Sequence, residues 1–262
     1  MLGLSVAVLM GSPIMRQKSN KTPEIPQYWI PPPSIGDGDS PIVIGQIGQS
    51  LDGQVATATG ESKYINGAGG LLHLHRLRAW AEVVIVGAGT VLADDPQLTV
   101  RLLEGRHPAR LVLDPSGRVP VRARVFTNGD APRFVMTRSG VSCSGLLPDV
   151  EHVCLDADRD GNLSPSAILQ WVSSQGWRNV LIEGGPLTLS RFMNAGLVDY
   201  LHLITSAVLL GQGKPGVSFP AVSSLLQAQR FSARAQRLDD DLLIECDLKS
   251  GHSQNVEHFG AK

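Results

Sequence analysis

Val83-Val84-Ile85-Val86 is a short, uninterrupted apolar run that ends at Gly87. A run of this kind is typical of a strand that is buried on both faces of a sheet. The pattern returns three times, at Leu111–Leu113, Phe134–Met136 and Val180–Ile182. Because helical patterns separate several of these runs, the sequence predicts an α/β fold with a mainly parallel sheet.

Helix signals complete this prediction. Residues 68–79 carry a broad apolar face. Pro165, after the N-cap candidate Ser164, begins a helix that reaches residue 174, and Pro186 begins another that reaches 195 and closes at Gly196. The remaining predicted strands lie at 41–45, 200–210 and 241–248.

The 262-residue chain divides by composition into three parts. Residues 1–40 are rich in proline and predict an extended arm, in part polyproline. Residues 41–248 hold the predicted strands and helices and form one predicted domain. Residues 249–262 are polar and predict a C-terminal tail.

Charge and cysteine content argue against several kinds of function. The chain has 23 Lys+Arg and 24 Asp+Glu, a net charge of −1, which argues against a dedicated nucleic-acid-binding protein. No apolar run approaches the length that a membrane span needs. Cys143, Cys154 and Cys246 have no zinc-binding spacing, and they indicate a reducing, cytoplasmic compartment. His73 and His75 lie two residues apart on a predicted helix and face different sides, so no metal site is predicted.

Two glycine-containing turns, called corners below, come directly after predicted strands. The carboxyl ends of strands are the places where α/β sheets bind ligands. Glu183-Gly184-Gly185-Pro186-Leu187-Thr188 leads directly into a helix whose free N–H groups can hold a pyrophosphate. The alternative is an ordinary strand-to-helix connection. Gly87-Ala88-Gly89 permits close approach of a ligand, but Leu92 stands where a dinucleotide fingerprint has its third glycine, so a tight structural turn is equally consistent.

Polar residues near these corners are candidates for contacts with a charged ligand. Arg78 and Arg101 flank the Gly87 corner, and guanidinium groups can bind phosphate through two parallel hydrogen bonds. Ser62 lies in a polar loop at residues 60–64. For each of these side chains the alternative is a solvated position on the surface.

Five segments together resemble the reductase domain of bacterial riboflavin biosynthesis, a relative of dihydrofolate reductase. They are 49–53 (QSLDG), 59–65 (TGESKYI), 76–78 (RLR), 87–101 (GAGTVLADDPQLTVR) and 183–186 (EGGP). The resemblance covers about residues 41–248, and the first and fourth segments together are its most specific part.

The resemblance implies a dihydrofolate-reductase-like fold, with a mixed, mainly parallel sheet, flanking helices and a C-terminal antiparallel element, usually in a homodimer. It implies that NADPH is used to reduce the ribose of 5-amino-6-(5-phosphoribosylamino)uracil, a phosphorylated pyrimidine, to its ribityl form. The predicted cofactor contacts, including the glycines of the second corner, are Gly48, Tyr64, Gly87, Gly89, Thr90, Asp94, Gly184, Gly185, Pro186, Leu187 and Thr188. The implied substrate contacts are Ser62, Arg78, Leu98, Arg101 and Glu183.

The charged groups agree with this division. Arg78 and Arg101 would supply positive charge for the ribose phosphate, and Glu183 would accept hydrogen bonds from the aminouracil. Two segments that follow predicted strands are candidates for the 2′-phosphate that separates NADPH from NADH. The first candidates are Thr137 and Arg138, and the second is Ser116.

The reaction also needs a proton, because the hydride carried by a nicotinamide reduces only one end of the acceptor bond. Asp52 and Glu183 are the titratable groups nearest by motif, and water is the alternative. No catalytic metal is implied.

Two positions depart from the family pattern. Gln46 stands four residues before Ser50, where the family usually has Lys, and Tyr64 replaces the usual Trp. The loss of the ammonium group leaves alternatives open beside the riboflavin-pathway reductase. They are a reductase of the same fold that acts on another carbonyl, imine or pterin-like substrate, and a non-catalytic dimeric nucleotide-binding protein. The sequence shows no deaminase motif, so a deaminated substrate would come from another protein.

Overall fold

The structure, a computed structural model, describes residues 40–127 and 129–250. The predicted arm up to residue 39 and the tail after residue 250 lie outside the described residues. The strands are β1 (Ile42–Ser50), β2 (Gln54–Thr57), β3 (Val83–Gly87), β4 (Ala109–Leu113), β5 (Arg133–Arg138), β6 (Val150–Leu155), β7 (Asn179–Glu183), β8 (Tyr200–Ser206), β9 (Gly213–Pro215), β10 (Ser232–Leu238) and β11 (Asp241–Asp247). The α-helices are α1 (Ala68–Trp80), α2 (Ala88–Asp94), α3 (Arg124–Thr127), α4 (Pro165–Ser174) and α5 (Pro186–Asn194).

Nine strands form one sheet in the order β10-β11-β8-β1-β7-β3-β4-β5-β6. The pairings from β8 to β6 are all parallel. The hairpin of β10 and β11 joins β8 in antiparallel fashion. The predicted α/β class, with a mixed and mainly parallel sheet and a C-terminal antiparallel element, is therefore confirmed. The strands β2 and β9 form a separate two-stranded sheet.

The core lies along the strands that the apolar runs predicted. All five residues of β3 and all five of β4 are buried, and Ile85 and Leu111 have no exposed surface. Helices α4 and α5 contribute Ile168 and Phe192 to the same apolar cluster. Burial on both faces explains why these strands read as continuous apolar runs and not as alternating patterns.

The structure adds elements that local patterns did not indicate. Residues 88–94, expected as a glycine corner or tight turn, form the helix α2 directly after β3. Strand β6 is missing from the prediction because it is an edge strand with mixed polar and apolar residues and much exposed surface. Strand β1 continues from the predicted segment to Ser50.

Helix α1 packs against the β8–β11 side of the sheet, where the buried His73 of α1 meets the buried His202 of β8. His73 Nε2 and His202 Nδ1 lie 2.9 Å apart, and the two rings stack with centroids 5.1 Å apart. His202 Nε2 is 3.9 Å from Glu245 Oε1. Burial away from water lowers the pKa of His73 to about 3 and that of His202 to about 4, and the nearby charge of Arg76 acts on His73 in the same direction.

This histidine pair predicts a loss of stability in mild acid. The ordinary histidine pKa of 6.5 is lowered in the folded state, so the unfolded chain binds protons first as the pH falls. The stabilisation is complete above about pH 6.5 and is lost as the pH falls towards the folded-state values. From pH 7 to pH 5 we expect the free energy of unfolding, measured with urea, to fall by on the order of 2 kcal/mol for each histidine.

A double variant tests the assignment. His73→Gln with His202→Gln cannot take up these protons, so its unfolding free energy should depend much less on pH over the same range. His152→Gln, at an exposed histidine on β6, is the matched control and should keep the full dependence. An unchanged pH dependence in the double variant would contradict the assignment.

Candidate functional site

A cavity of about 870 Å³ opens at the carboxyl ends of β3, β4, β7 and β1. This is the edge at which parallel α/β sheets bind ligands. Most of the predicted site residues line it. They are Gly48, Ser62, Tyr64, Arg78, Gly87, Gly89, Thr90, Asp94, Ser116, Arg138, Glu183, Gly184, Gly185, Pro186, Leu187 and Thr188.

The Gly184–Gly185 corner presents bare backbone to this cavity. Gly184 has a φ of +88°, a conformation that glycine adopts without strain. Gly185 N donates to Thr90 Oγ1 at 2.7 Å, and a Cβ at Gly185 would lie 2.7 Å from that oxygen. Helix α5 begins immediately afterwards, at Pro186. The Thr90 side chain thus packs against the two glycines, and residues 184–188, which include the start of α5, line the cavity. Free N–H groups at the start of a helix can hold a pyrophosphate.

Two arginines border the part of the cavity next to β4 and β5. Arg138 ends β5, and its Nη1 lies 3.1 Å from the position that a Cβ on Gly161 would take. Arg118 lies two residues after Ser116, in a turn that Asp114 fixes by accepting a 2.6 Å hydrogen bond from Val119 N. Both residues line the cavity. Arg118 was not predicted, because a single arginine in a loop carries no local signal.

Thr137, predicted beside Arg138, does not line the cavity. Its side chain is fully buried, and its hydroxyl lies 2.8 Å from His152 Nε2 and 3.2 Å from the carbonyl oxygen of Arg138. The alternation of side chains along β5 points the two residues to opposite faces of the strand. Thr137 thus makes contacts inside the protein, and its contact with a 2′-phosphate stays a prediction.

Arg78 and Glu183 form a buried ion pair at the base of the cavity. Arg78 Nε donates to Glu183 Oε2 at 2.8 Å, and Nη2 donates to Oε1 of the same carboxylate. Arg78 Nη1 also donates to the carbonyl oxygen of Thr99 at 3.1 Å. The two side chains are only 6% and 9% exposed. Arg78 thus lines the cavity as the ion-pair partner of Glu183, and its contact with the substrate stays a prediction.

Leu98 and Arg101 were predicted as substrate contacts, and neither lines the cavity. Leu98 is 1% exposed, so its side chain belongs to the interior. Arg101 is exposed, and its Nη1 donates to Thr99 Oγ1 at 2.7 Å, while its backbone N–H donates to His75 Nδ1 at 2.9 Å. These hydrogen bonds of Arg101 support the turn after Leu98, and the substrate contacts of Leu98 and Arg101 stay predictions.

Asp52, predicted as a catalytic group, makes hydrogen bonds that connect two loops. Its carboxylate accepts from Ser50 Oγ at 2.5 Å and from the backbone N–H groups of Leu210 and Gly211 at 3.1 and 2.7 Å. The Ser50 hydrogen bond is the main cause that lowers the pKa of Asp52. Asp52 is not among the residues that line the cavity, and its carboxylate holds the loop at 208–211, so its catalytic role stays a prediction.

Ser62 and Asp94, predicted for substrate and cofactor, meet each other. Ser62 Oγ donates to Asp94 Oδ1 at 2.7 Å and so ties the loop after β2 to helix α2.

Gln46 lies on β1 between Glu183 of β7 and His202 of β8, and it lines the cavity while being 5% exposed.

Further cavity residues were missed by the sequence analysis. Those with polar side chains, besides Arg118, are Lys63, Asn66, Asn162, Arg191 and Lys214. Within residues 40–127 and 129–250, no group of three His, Cys, Asp or Glu side chains could hold a metal ion. No helix in that part of the chain is both long and apolar enough to cross a membrane.

Comparison with known proteins identifies relatives of this chain. Residues 41–242 match the model of the RibD C-terminal domain. The riboflavin biosynthesis protein RibD of Aquifex aeolicus is 30% identical over 79% of this chain and 57% of its own length. The 2,5-diamino-6-ribosylamino-4(3H)-pyrimidinone 5′-phosphate reductase of Methanothermobacter thermautotrophicus is 31% identical over 80% of this chain and 99% of its own length.

The fold of this chain is also found in a solved structure. The diaminohydroxyphosphoribosylaminopyrimidine deaminase/5-amino-6-(5-phosphoribosylamino)uracil reductase of Thermotoga maritima is similar, with a TM-score of 0.68 and 31% sequence identity. The match covers 80% of this chain and 57% of that one. This chain thus spans about half the length of the RibD proteins that it matches.

The buried ion pair predicts a strongly unequal response to single and double substitution. Arg78→Met leaves the Glu183 carboxylate buried without its partner and should lower the free energy of unfolding by about 3–5 kcal/mol. Arg78→Met with Glu183→Met removes both charges and should recover most of that loss. The measurement is urea unfolding followed by circular dichroism.

A surface ion pair provides the control. Lys249 Nζ lies 2.8 Å from Asp199 Oδ1, and the lysine is 61% exposed. Lys249→Met should therefore cost less than about 1 kcal/mol. Equal losses for Arg78→Met and for the double variant would show that the two side chains are not coupled.

Proposed function

Since the chain belongs to the family of RibD C-terminal domains, we propose that it is an NADPH-dependent reductase of riboflavin biosynthesis. Its substrate is a phosphoribosylamino-pyrimidine, and the first candidate is 5-amino-6-(5-phosphoribosylamino)uracil. The ribose of this compound is reduced to the ribityl form. The observation that carries the proposal is the single cavity in which the bare Gly184–Gly185 corner, the Arg118 and Arg138 guanidiniums and the Arg78–Glu183 pair come together.

The residues at one side of the cavity fit the cofactor. The start of α5, which lines the cavity, suits the pyrophosphate, and Thr90 holds this corner through Gly185 N. Arg118 and Arg138, with Ser116, supply the charge that a 2′-phosphate requires. When bound, NADPH supplies the hydride.

The Arg78–Glu183 pair serves the substrate. Two hydrogen bonds from the guanidinium fix the carboxylate at the end of β7, so its oxygens face the cavity in one orientation. A carboxylate held in an ion pair accepts hydrogen bonds and does not donate them, which suits the N–H groups of an aminopyrimidine. Glu183 therefore orients the substrate, and of the two proton sources considered for this site we favour water.

A second substrate is favoured by a specific comparison. The archaeal reductase that this chain matches over 99% of its length is named for 2,5-diamino-6-ribosylamino-4(3H)-pyrimidinone 5′-phosphate. That compound carries an amino group where the uracil has a ring carbonyl. Gln46, a neutral amide in the cavity wall, can both donate and accept hydrogen bonds and so suits either ring.

A homodimer is part of the proposal. Residues 208–231 expose a series of large apolar side chains, which a stable monomer seldom leaves in water. They are Val208, Leu209, Phe219, Val222, Leu225, Leu226 and Phe231.

The proposed compartment is the cytoplasm. The three cysteines are all unpaired, which is consistent with a reducing compartment of this kind.

The direct test is turnover by the purified chain. We expect NADPH oxidation, followed by its absorbance, when 5-amino-6-(5-phosphoribosylamino)uracil is added, and the diamino-pyrimidinone phosphate assayed in parallel decides between the two substrates. Gly185→Val places a side chain in the corner, so it should lower turnover at least a hundredfold while leaving urea unfolding cooperative. A chain that binds NADPH but oxidises it with neither pyrimidine would refute the proposed substrate class, and one that does not bind NADPH would refute the reductase.

The arginine pair predicts the choice of cofactor. Arg118→Ala and Arg138→Ala each remove a charge-assisted hydrogen bond to the 2′-phosphate, so each should raise the KM for NADPH by about tenfold or more. The KM for NADH, which lacks that phosphate, should stay within about twofold. Arg122→Ala, at an exposed arginine that does not line the cavity, is the control. A parallel rise for NADH would place both arginines elsewhere on the cofactor.

A further inference from the structure

Asn66 lines the cavity from the loop between β2 and α1, and no local pattern pointed to it. Its Nδ2 donates to Ser206 Oγ at 2.8 Å and to the carbonyl oxygen of Ile204 at 3.3 Å, both in β8. A carbonyl oxygen can only accept a hydrogen bond, so the atom that faces Ile204 has to be the NH2 group. The side-chain amide of Asn66 therefore has one orientation.

The hydroxyl group of Ser206 fixes the direction of these hydrogen bonds. Ser206 Oγ donates to Asp241 Oδ1 at 2.6 Å, which uses its only proton, so the same oxygen can only accept from Asn66. Asp241 is 2% exposed, and its Oδ2 also accepts from Gly67 N at 2.7 Å, at the N-cap of α1. The hydrogen bonds thus run in one direction, from Asn66 through Ser206 to Asp241, and a turned amide would break the chain.

The side-chain oxygen of Asn66 lies against β1 at Gly48. A Cβ on Gly48 would overlap Asn66 Oδ1, so the oxygen can take this place only because position 48 has no side chain. In the part of the chain that the structure describes, Asn66 makes two side-chain hydrogen bonds, and both use Nδ2. Since Gly48 and Asn66 both line the cavity, Oδ1 is a fixed acceptor in its wall.

The surroundings of this oxygen indicate the kind of group that it binds. Gln46 lies two residues before Gly48, on the same face of β1, and adds a second neutral amide to the cavity wall. A carbonyl oxygen repels the oxygens of a phosphate and attracts an N–H or O–H group. The cofactor carries such a group in its carboxamide, and a pyrimidine substrate carries several as amino and hydroxyl groups.

We propose that Asn66 binds a ligand of this cavity by accepting a hydrogen bond from a neutral N–H or O–H group, and that Ser206 is the positioning residue that holds its oxygen in place. This inference rests on the proposed function and adds to it a binding residue. Because the orientation is fixed before any ligand arrives, binding does not have to order this side chain.

The test compares Asn66→Ala with the wild type in the NADPH oxidation assay and in calorimetric titration with NADPH. Loss of the hydrogen bond should raise the KM of the ligand that donates it about fivefold, with kcat within about twofold. A raised KM for NADPH assigns the donor to the cofactor carboxamide, and a raised KM for the pyrimidine assigns it to the substrate. Asn66→Ser, whose side chain is too short to reach Gly48, gives the same test if the alanine variant does not fold.

The matched control is Asn194→Ala. Asn194 is an exposed asparagine at the end of α5 that donates to the carbonyl oxygen of Ser218 at 3.4 Å and does not line the cavity. Its loss should leave both KM values unchanged.

A double variant tests the positioning role. Ser206→Ala should raise the same KM about twofold, and Ser206→Ala with Asn66→Ala should match Asn66→Ala alone, because Ser206 acts through the amide. A merely structural serine would add its own effect to that of Asn66→Ala, and additive rises in KM would therefore overturn the positioning role.

The outcomes separate this proposal from the proposed function. A wild type that binds NADPH but turns over neither pyrimidine, with NADPH binding weakened in Asn66→Ala, would refute the substrate class and keep the role of Asn66. An NADPH affinity and KM values that are unchanged in Asn66→Ala would overturn the role of Asn66, and wild-type turnover in the same assay would leave the reductase in place.

Discussion

A carboxylate removed from water needs a positive partner held at hydrogen-bonding distance, and Glu183 has that partner in Arg78. The pair joins the last turn of α1 to the end of the central strand β7, so helix and sheet are held together where the cavity begins. Arg78 also donates to the carbonyl oxygen of Thr99, which extends the same support to the segment after α2. The base of the cavity is thereby rigid and nearly neutral.

The neutral base determines how charge is distributed elsewhere in the site. Unpaired negative charge at the base would repel phosphorylated ligands, and unpaired positive charge would hold a phosphate where the pyrimidine ring has to lie. The cavity is also lined by other positive residues, which are Lys63, Arg118, Arg138, Arg191 and Lys214. A cavity of this kind suits two anionic ligands that meet at their uncharged reactive parts.

Local sequence was sufficient for the features that depend on a few neighbouring residues. The strand at Val83–Val86 and the corner at Gly184–Gly185 follow from apolar continuity and from glycine before a helix, and both lie where the pattern indicated. Local sequence did not show which partners, distant in sequence, the polar side chains meet. Arg78 and Glu183 are 105 residues apart, and Asp52 and Gly211 are 159 apart, so nothing in either local segment shows that these groups satisfy each other. Lys214 was overlooked for the same reason, because only the pairing of β9 with β2 brings it to the loop after β2.

The position of β1 in the sheet has a consequence for how the chain acquires its structure. This strand, first of the described strands, lies between β7 and β8, and Val43 N donates to Asp199 Oδ2 across 156 residues of sequence. During synthesis an apolar segment leaves the ribosome long before either neighbour exists, and loop closure on this scale makes the central pairing slow. Until the C-terminal third of the chain has emerged, this apolar segment has no strand to pair with and is exposed to association with other chains.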